Sequence, residues 1–257
     1  MCAAVCFINC TTLGPIPATT GMPAVPAERP AGEIGFGAVP GYYLSSSTQK
    51  SSGGAALTQA SLLLEPDRLV RLPGVVVGAR HVGDSKNGGY FEPLVGYRCH
   101  LDQNRRFAAL GIGYLTHASG SRDGASFAAT RGGAEVGFDA RVTPETKWVE
   151  VHTNVSAALT GLSASGRYCR DADGQYGVMC PNPPVLLPAS VSGLYPSASA
   201  GVSFDFARHL PAFFHGGRLA LGVSGGLMPT TVGGQQQNAR WYGTAGGSLT
   251  LGFGASR

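Results

Sequence analysis

Residues 148–160 read WVEVHTNVSAALT, and side-chain character alternates along them with a period of two. Every second residue from Val149 is valine, threonine, alanine or leucine, whereas those from Glu150 include glutamate, histidine, asparagine and serine. Successive side chains of a β-strand point to opposite faces of the sheet. The stretch therefore predicts a strand with one apolar face and one polar face.

The same alternation recurs from residue 32 to the end of the chain. It is clearest in residues 133–142, 194–206, 218–227 and 241–253, and weaker in residues 34–42, 58–64, 75–80, 91–101 and 110–114. Repeated alternating segments separated by turn residues are typical of a transmembrane barrel. We predict an all-β fold, a closed antiparallel up-and-down transmembrane β-barrel of about ten strands, over residues 32–257. A soluble β-sandwich or jelly roll is the main alternative.

The connecting segments also alternate in length. Short turns at residues 65–68, 102–105 and 143–146 alternate with longer segments at 45–53, 83–89, 119–131, 161–193 and 229–239, apart from a moderate one at 208–217. Outer-membrane barrels have short periplasmic turns and longer outer loops. This sorting predicts an even strand count, with both termini in the periplasm of a bacterial outer membrane.

Composition excludes several other classes of protein. Charged residues are 13% of the chain, hydrophobic residues 43%, and the net charge is +4, which is too weak to indicate nucleic-acid binding. The sequence contains no run of about eighteen apolar residues, so it predicts no transmembrane helix, and a membrane location would then require a closed barrel. Gly111 and Gly113 lie within a strand pattern rather than before a helix, and no cofactor is expected.

The apolar parity of each segment is expected to face lipid, because an arginine or lysine there costs about 2–4 kcal/mol near the midplane. This assigns Leu110, Ile112, Tyr114 and Cys99 to the outer face. Aromatic residues near strand ends fit interface girdles. We expect Phe36, Phe107, Phe206 and Phe253 in one girdle and Tyr42, Phe91, Tyr114 and Trp241 in the other.

The opposite parity collects charged and polar residues of both signs. Its members are Arg80, Glu92, Arg98, His100, Glu135, Asp139, Arg141, Glu150, His152, Asn154, Asp205 and Arg218. Pairing of Arg98 with Glu135 or Asp139, and of Arg141 with Glu150, would let these charges lie inside the barrel. We favour an ion-pair network that plugs a narrow lumen over a water-filled, weakly selective pore. The set Glu150, His152 and Asn154 also invites an acid-base interpretation, but we expect no enzyme.

The N-terminal part and the cysteines form a separate group of predictions. Residues 1–31 combine a short apolar leader with a Pro-rich tether, and Cys10 is a candidate for lipid attachment. Cys169 and Cys180 lie in the longest connector, where an oxidising environment favours a disulfide over free thiols. Cys6 and Cys10 have no histidine near them in sequence, so no metal site is expected.

The alternation, the sorted connectors and the final run Leu249-Thr250-Leu251-Gly252-Phe253 resemble the small bacterial outer-membrane β-barrel superfamily. Members commonly end on an aromatic residue, the position that Phe253 resembles, although four residues follow it here. The resemblance implies contact with outer-membrane lipid. We expect a non-enzymatic anchor or scaffold that meets envelope proteins through residues 161–193 or the tether. The alternatives are a narrow solute channel and a lipid A- or peptide-processing barrel enzyme.

Overall fold

The computed structural model describes residues 32–39, 42–44, 57–66, 73–84, 88–104, 106–122, 125–144, 149–170, 185–206, 214–232 and 235–253. Within these ranges the chain forms strands and turns. The strands are β1 (Gly32–Val39), β2 (Tyr42–Leu44), β3 (Leu57–Leu64), β4 (Val75–Asp84), β5 (Gly88–His100), β6 (Phe107–Arg122), β7 (Ala125–Arg141), β8 (Glu150–Arg170), β9 (Val185–Asp205), β10 (Phe214–Val232) and β11 (Gln235–Phe253). Among the described residues, no helix is long and apolar enough to cross a membrane.

The strands form a closed antiparallel barrel in which β1 pairs with β3, and each strand from β3 to β10 pairs with the next strand along the chain. β1 and β2 pair with successive parts of β11, so together they fill one position in the wall. The register Ile34↔Leu251 closes the sheet and gives ten wall positions. The predicted fold class is confirmed. We call the end where β1 begins and β11 finishes the terminal end, and the opposite end the hairpin end.

The outer surface is apolar and the interior is charged. Val155, Leu221 and Phe138 are 53%, 56% and 50% exposed, whereas Glu92 and Arg131 are 0% and 2% exposed. A water-soluble protein buries its valines and leucines and leaves its charges outside. The reverse arrangement suits a closed barrel surrounded by hydrocarbon, and it is incompatible with a soluble sandwich.

The expected orientation of β6 is wrong. Leu110, Ile112 and Tyr114 point inward and are 4%, 5% and 7% exposed, so Tyr114 does not belong to an outer girdle. The register explains the inversion, because Leu110 lies opposite Arg98 and Ile112 opposite Glu135. Paired residues of neighbouring strands share a face of the sheet. The inward set packs with three other interior side chains, Leu63, Val76 and Leu94.

Several predicted loops are strands. β6 runs to Arg122 and β7 begins at Ala125, so most of residues 119–131 is paired, and residues 229–239 are likewise divided between β10 and β11. In the predicted outer loop 161–193, residues 161–170 and 185–193 belong to β8 and β9. These segments are rich in serine, alanine and glycine on both faces, which removed the apolar contrast that marked the other strands. The long connectors therefore consist largely of the paired ends of neighbouring strands, which we call the arms of each hairpin.

The wall of the barrel is uneven in height. A membrane-crossing strand needs only about 9–11 residues. β3 and β4 contain 8 and 10 residues, whereas β8 and β9 contain 21 each. β6, β7, β8 and β9 consequently continue at the hairpin end as a four-stranded sheet beyond the apolar band.

This raised sheet has an open edge along β9. Pairing of β8 with β9 continues to Arg170↔Val185, but pairing of β9 with β10 ends at Ser197↔Gly226. The carbonyl of Pro196 faces β10, since a Cβ added to Gly226 would lie 2.5 Å from it. Proline has no N–H to donate on that side, so the ladder to β10 ends there. Proline on an open edge also discourages pairing with other chains.

The turn from β5 to β6 is held by Asp102. The backbone N–H of Phe107 donates to Asp102 Oδ1 at 2.8 Å, and the N–H of Leu101 donates to the carbonyl of Phe107 at 2.9 Å. The hydrogen bond from Phe107 lowers the pKa of Asp102 below its usual value. This turn is at the terminal end, outside the apolar band.

Candidate functional site

The interior charges form two clusters at different heights. The upper cluster, nearer the hairpin end, contains Arg80, Glu92, Arg131 and Glu135. The lower cluster, nearer the terminal end, contains Asp139, Arg141, Glu150, His152, Asp205 and Arg218. Arg98 forms a separate group beside the lower cluster with Glu33 and Glu65.

In the upper cluster one carboxylate joins two guanidinium groups. Arg80 Nη2 lies 2.8 Å from Glu92 Oε2, and Arg131 Nη1 bonds the other oxygen of Glu92. Arg80 Nη1 also lies 3.4 Å from Glu135 Oε2. Two positive and two negative charges balance one another, as burial away from water requires.

Tyr114 packs against the upper cluster. The guanidinium carbons of Arg80 and Arg131 lie 5.3 Å and 5.1 Å from the centre of its ring, within the range of a cation–π interaction. Its hydroxyl lies 2.6 Å from Thr160 Oγ1, across strand β7. The ring crosses β7 at Gly133, where a Cβ would lie 2.7 Å from the hydroxyl oxygen. Glycine is therefore required at 133 for the ring to reach Thr160.

We expect Gly133→Val to destabilise the barrel by about 1–3 kcal/mol, the usual cost of overpacking a closely packed interior. The ring of Tyr114 is fixed by two arginines and Thr160, so it has little freedom to move away. Gly111→Val is the matched control, because a Cβ there points outward and meets no described atom within 4 Å. Urea unfolding of both variants in lipid vesicles measures the difference, and equal losses would contradict this role of Gly133.

The lower cluster is centred on Arg218 and His152. Arg218 Nη2 lies 2.5 Å from Asp205 Oδ2, its Nε bonds the other oxygen of Asp205, and its Nη1 lies 2.6 Å from Asp139 Oδ2. His152 Nδ1 lies 2.8 Å from Asp139 Oδ1, and its Nε2 lies 3.4 Å from Asp205 and 3.7 Å from Glu150. Arg141 lies 3.5 Å from Glu150. The arrangement is that of an interlocked ion cluster.

Some ion pairs inside the barrel differ from those predicted from the sequence. Arg98 pairs with Glu33 by two contacts of 3.0 Å and with Glu65 at 2.7 Å, rather than with Glu135 or Asp139. The predicted ion pairs joined only strands of the central region, whereas Glu33 lies on β1, which closes the barrel by pairing with β11. Glu33, Glu65 and Arg131 were missed. Arg131 has the same parity as Glu135 and Asp139, a signal that was lost when residues 119–131 were assigned to a loop.

The other predicted residues have simpler placements. His100 and Asn154 are partly buried on the inward parity, and Cys99 is a free thiol whose partly buried position falls on the outward parity. Cys10, the whole of residues 1–31, Cys180 and the side chain of Cys169 lie outside the described residues, so the lipid site and the disulfide stay predictions.

A cavity of about 10 Å³ lies among Arg80, Tyr114, Arg131, Ser199 and Ser224, which is room for roughly one water molecule. Fold and interior together define a small β-barrel of the membrane type, whose lumen is crossed by buried ion pairs.

Comparison with known proteins finds similarity at the level of structure. No family model and no protein of curated function matches the chain. The chain is similar to Neisserial surface protein A (NspA), at 14% identity with a TM-score of 0.35, over 87% of this chain and 97% of that one. It is also similar to Ail, the attachment invasion locus protein of Yersinia pestis, at 11% identity with a TM-score of 0.34, over 86% and 97% of the two chains.

Proposed function

We propose that the chain is a non-enzymatic, non-conducting barrel of the bacterial outer membrane that anchors its raised hairpins for contact with other envelope components. The observation that supports this proposal is the burial of the charged side chains of the upper and lower clusters inside the barrel. Glu92 and Arg131 are 0% and 2% exposed, whereas charges that line a water-filled pore would be hydrated. A barrel of about ten strands has little space beyond that of its own side chains.

The hairpin end supports an anchoring role. The arms of β8 and β9 extend about ten residues beyond the length that a membrane requires. A scaffold would use such arms as its contact surface. In this proposal the terminal end faces the periplasm, and the tether of residues 1–31, with a lipid on Cys10, would hold periplasmic partners.

Planar-bilayer recording tests the closed lumen. We expect the wild-type barrel to give no stepwise currents, because paired side chains replace the water column. Insertion is verified in the same preparation by the heat-dependent change in gel mobility that a closed barrel shows. Discrete steady openings from inserted protein would contradict the proposal and support a narrow channel instead.

Crosslinking followed by purification through a tag after Arg257 tests the scaffold. The matched variant replaces residues 167–188 with Asn-Gly, since Gly166 and Ala189 are paired and accept a two-residue turn. We expect envelope proteins to be recovered with the wild type and to be depleted at least severalfold with the shortened hairpin. Recovery that is the same for both proteins would contradict a partner surface on these arms.

A further inference from the structure

The outward face of the raised sheet carries two rows of four side chains, and six of these eight side chains have a hydroxyl group. The first row runs across four strands through His117, Thr130, Ser163 and Ser192, and the second runs through Ser119, Ala128, Ser165 and Ser190. All eight residues are exposed. We call these two rows the hydroxyl patch.

The patch directly continues the apolar outer surface. On β8 the outward residues change from Val155 and Leu159, which are 53% and 48% exposed, to Ser163 and Ser165. The row just below the patch joins Leu115 to Leu194 through two glycines, and these leucines are 63% and 68% exposed. A molecule whose acyl chains lie against the leucines therefore has its polar part at the patch.

The height of the patch distinguishes between kinds of lipid headgroup. Ser163 and Ser165 follow Gly161, the β8 residue of the row from Leu115 to Leu194, by two and four residues, which corresponds to about 5–10 Å along the membrane normal for a tilted strand. The headgroup zone of a phospholipid leaflet is only about 5–8 Å thick. The patch thus lies at and beyond the phosphate level.

The chemistry of the patch favours neutral sugars. Serine and threonine hydroxyls both donate and accept hydrogen bonds, as sugar hydroxyls do. None of the eight residues is lysine or arginine, the usual ligands of phosphate.

We infer that the hydroxyl patch holds the saccharide headgroup of a membrane glycolipid whose acyl chains pack on the apolar band below it. This inference rests on the proposed outer-membrane location, with the hairpin end facing outward. The occupant is part of the membrane, so the patch is a site that orders lipid around the raised hairpins.

The test uses the full-length barrel in phospholipid nanodiscs, titrated with lipopolysaccharide that carries a complete core and, separately, with lipid A that lacks core sugars. We expect the wild type to prefer the complete lipopolysaccharide by about tenfold, the equivalent of one or two net hydrogen bonds. The patch variant Ser163→Ala/Ser165→Ala/Ser192→Ala should lose that preference. Thr153→Ala removes an outward hydroxyl of β8 within the apolar band, and should keep it.

Each contrary result has a definite meaning. A wild type without preference, or a patch variant that retains it, would overturn the inference. Free core oligosaccharide that binds as tightly as lipopolysaccharide would identify a soluble sugar as the occupant, and dimerisation lost in the patch variant would identify a second copy. Membrane insertion and the absence of stepwise currents are measured in phospholipid alone. A barrel that fails to insert, or that gives such currents, would therefore reject the proposed function independently of these titrations.

Discussion

Replacing Arg218 with methionine should lower the free energy of unfolding by about 3–5 kcal/mol, the usual effect of removing one partner from a buried ion cluster. Arg218 is 6% exposed and bonds both oxygens of Asp205 as well as Asp139. Methionine has a similar length but no charge. Two carboxylates would then stay inside the barrel without their main counter-ion.

Equilibrium unfolding in lipid vesicles, followed by tryptophan fluorescence, measures this loss. Arg106→Met is the matched control, since the Arg106 side chain is exposed at the terminal end and its loss should change stability by less than about 0.5 kcal/mol. A double-mutant cycle with Asp205→Asn isolates the pair, and its coupling should reach about 1–3 kcal/mol. A loss under about 1 kcal/mol for Arg218→Met would show that the lower cluster does not stabilise the fold.

Side-chain alternation in the sequence predicted the membrane-spanning part of the barrel well, because the two faces of each strand lie in different environments there. Hydrocarbon favours Val155 and Leu159 on one face of β8, while the narrow interior accommodates Glu150 and His152 on the other. Arg141 and Glu150 were expected to pair, and the structure brings them to 3.5 Å. The alternation with a period of two is therefore clear wherever one face of a strand meets hydrocarbon and the other faces the interior.

The same reasoning failed at β6 because polarity alone does not define the inner face. There the interior accepts Leu110 and Ile112, while the lipid side between Ala109 and Leu115 has only Gly111 and Gly113. Register with β5 and β7 fixes the orientation, and register cannot be read from one strand. A comparison of the residue pattern of β6 with the patterns of its two neighbouring strands would have shown that its apolar residues face inward.

Above the apolar band the alternation fades because hydrocarbon no longer acts on the outer face. Thr130, Ser163 and Ser192 are outward residues of regular strands, yet their composition is that of a loop. Arg131 was missed for this reason, although it is one of the most buried side chains. The sequence thus predicts the membrane-spanning part of this barrel better than the part above it.

Replacing Val155 with arginine should destabilise the barrel by about 2–4 kcal/mol, the cost of a cation on the lipid face near the midplane. Val155 is 53% exposed on the outward face of β8, well inside the apolar band. Ser165 lies ten residues further along the same face of the same strand and is also exposed. Ser165→Arg should cost no more than about 0–1 kcal/mol, because it places the charge outside the hydrocarbon.

This pair of variants tests the boundary on which the other proposals depend. The two positions share a strand, a face and the pairing of β8 with β7 and β9, so they differ mainly in depth. Equal small losses in vesicle unfolding would mean that the exposed valines and leucines do not meet hydrocarbon, and the barrel would not span a membrane. Equal large losses would place Ser165 inside the acyl layer, too deep for the hydroxyl patch to reach a sugar. Only a large loss at Val155 with a small one at Ser165 puts the edge of the membrane between these two positions. That interval contains the row from Leu115 to Leu194, where the outer surface changes from apolar side chains to hydroxyls.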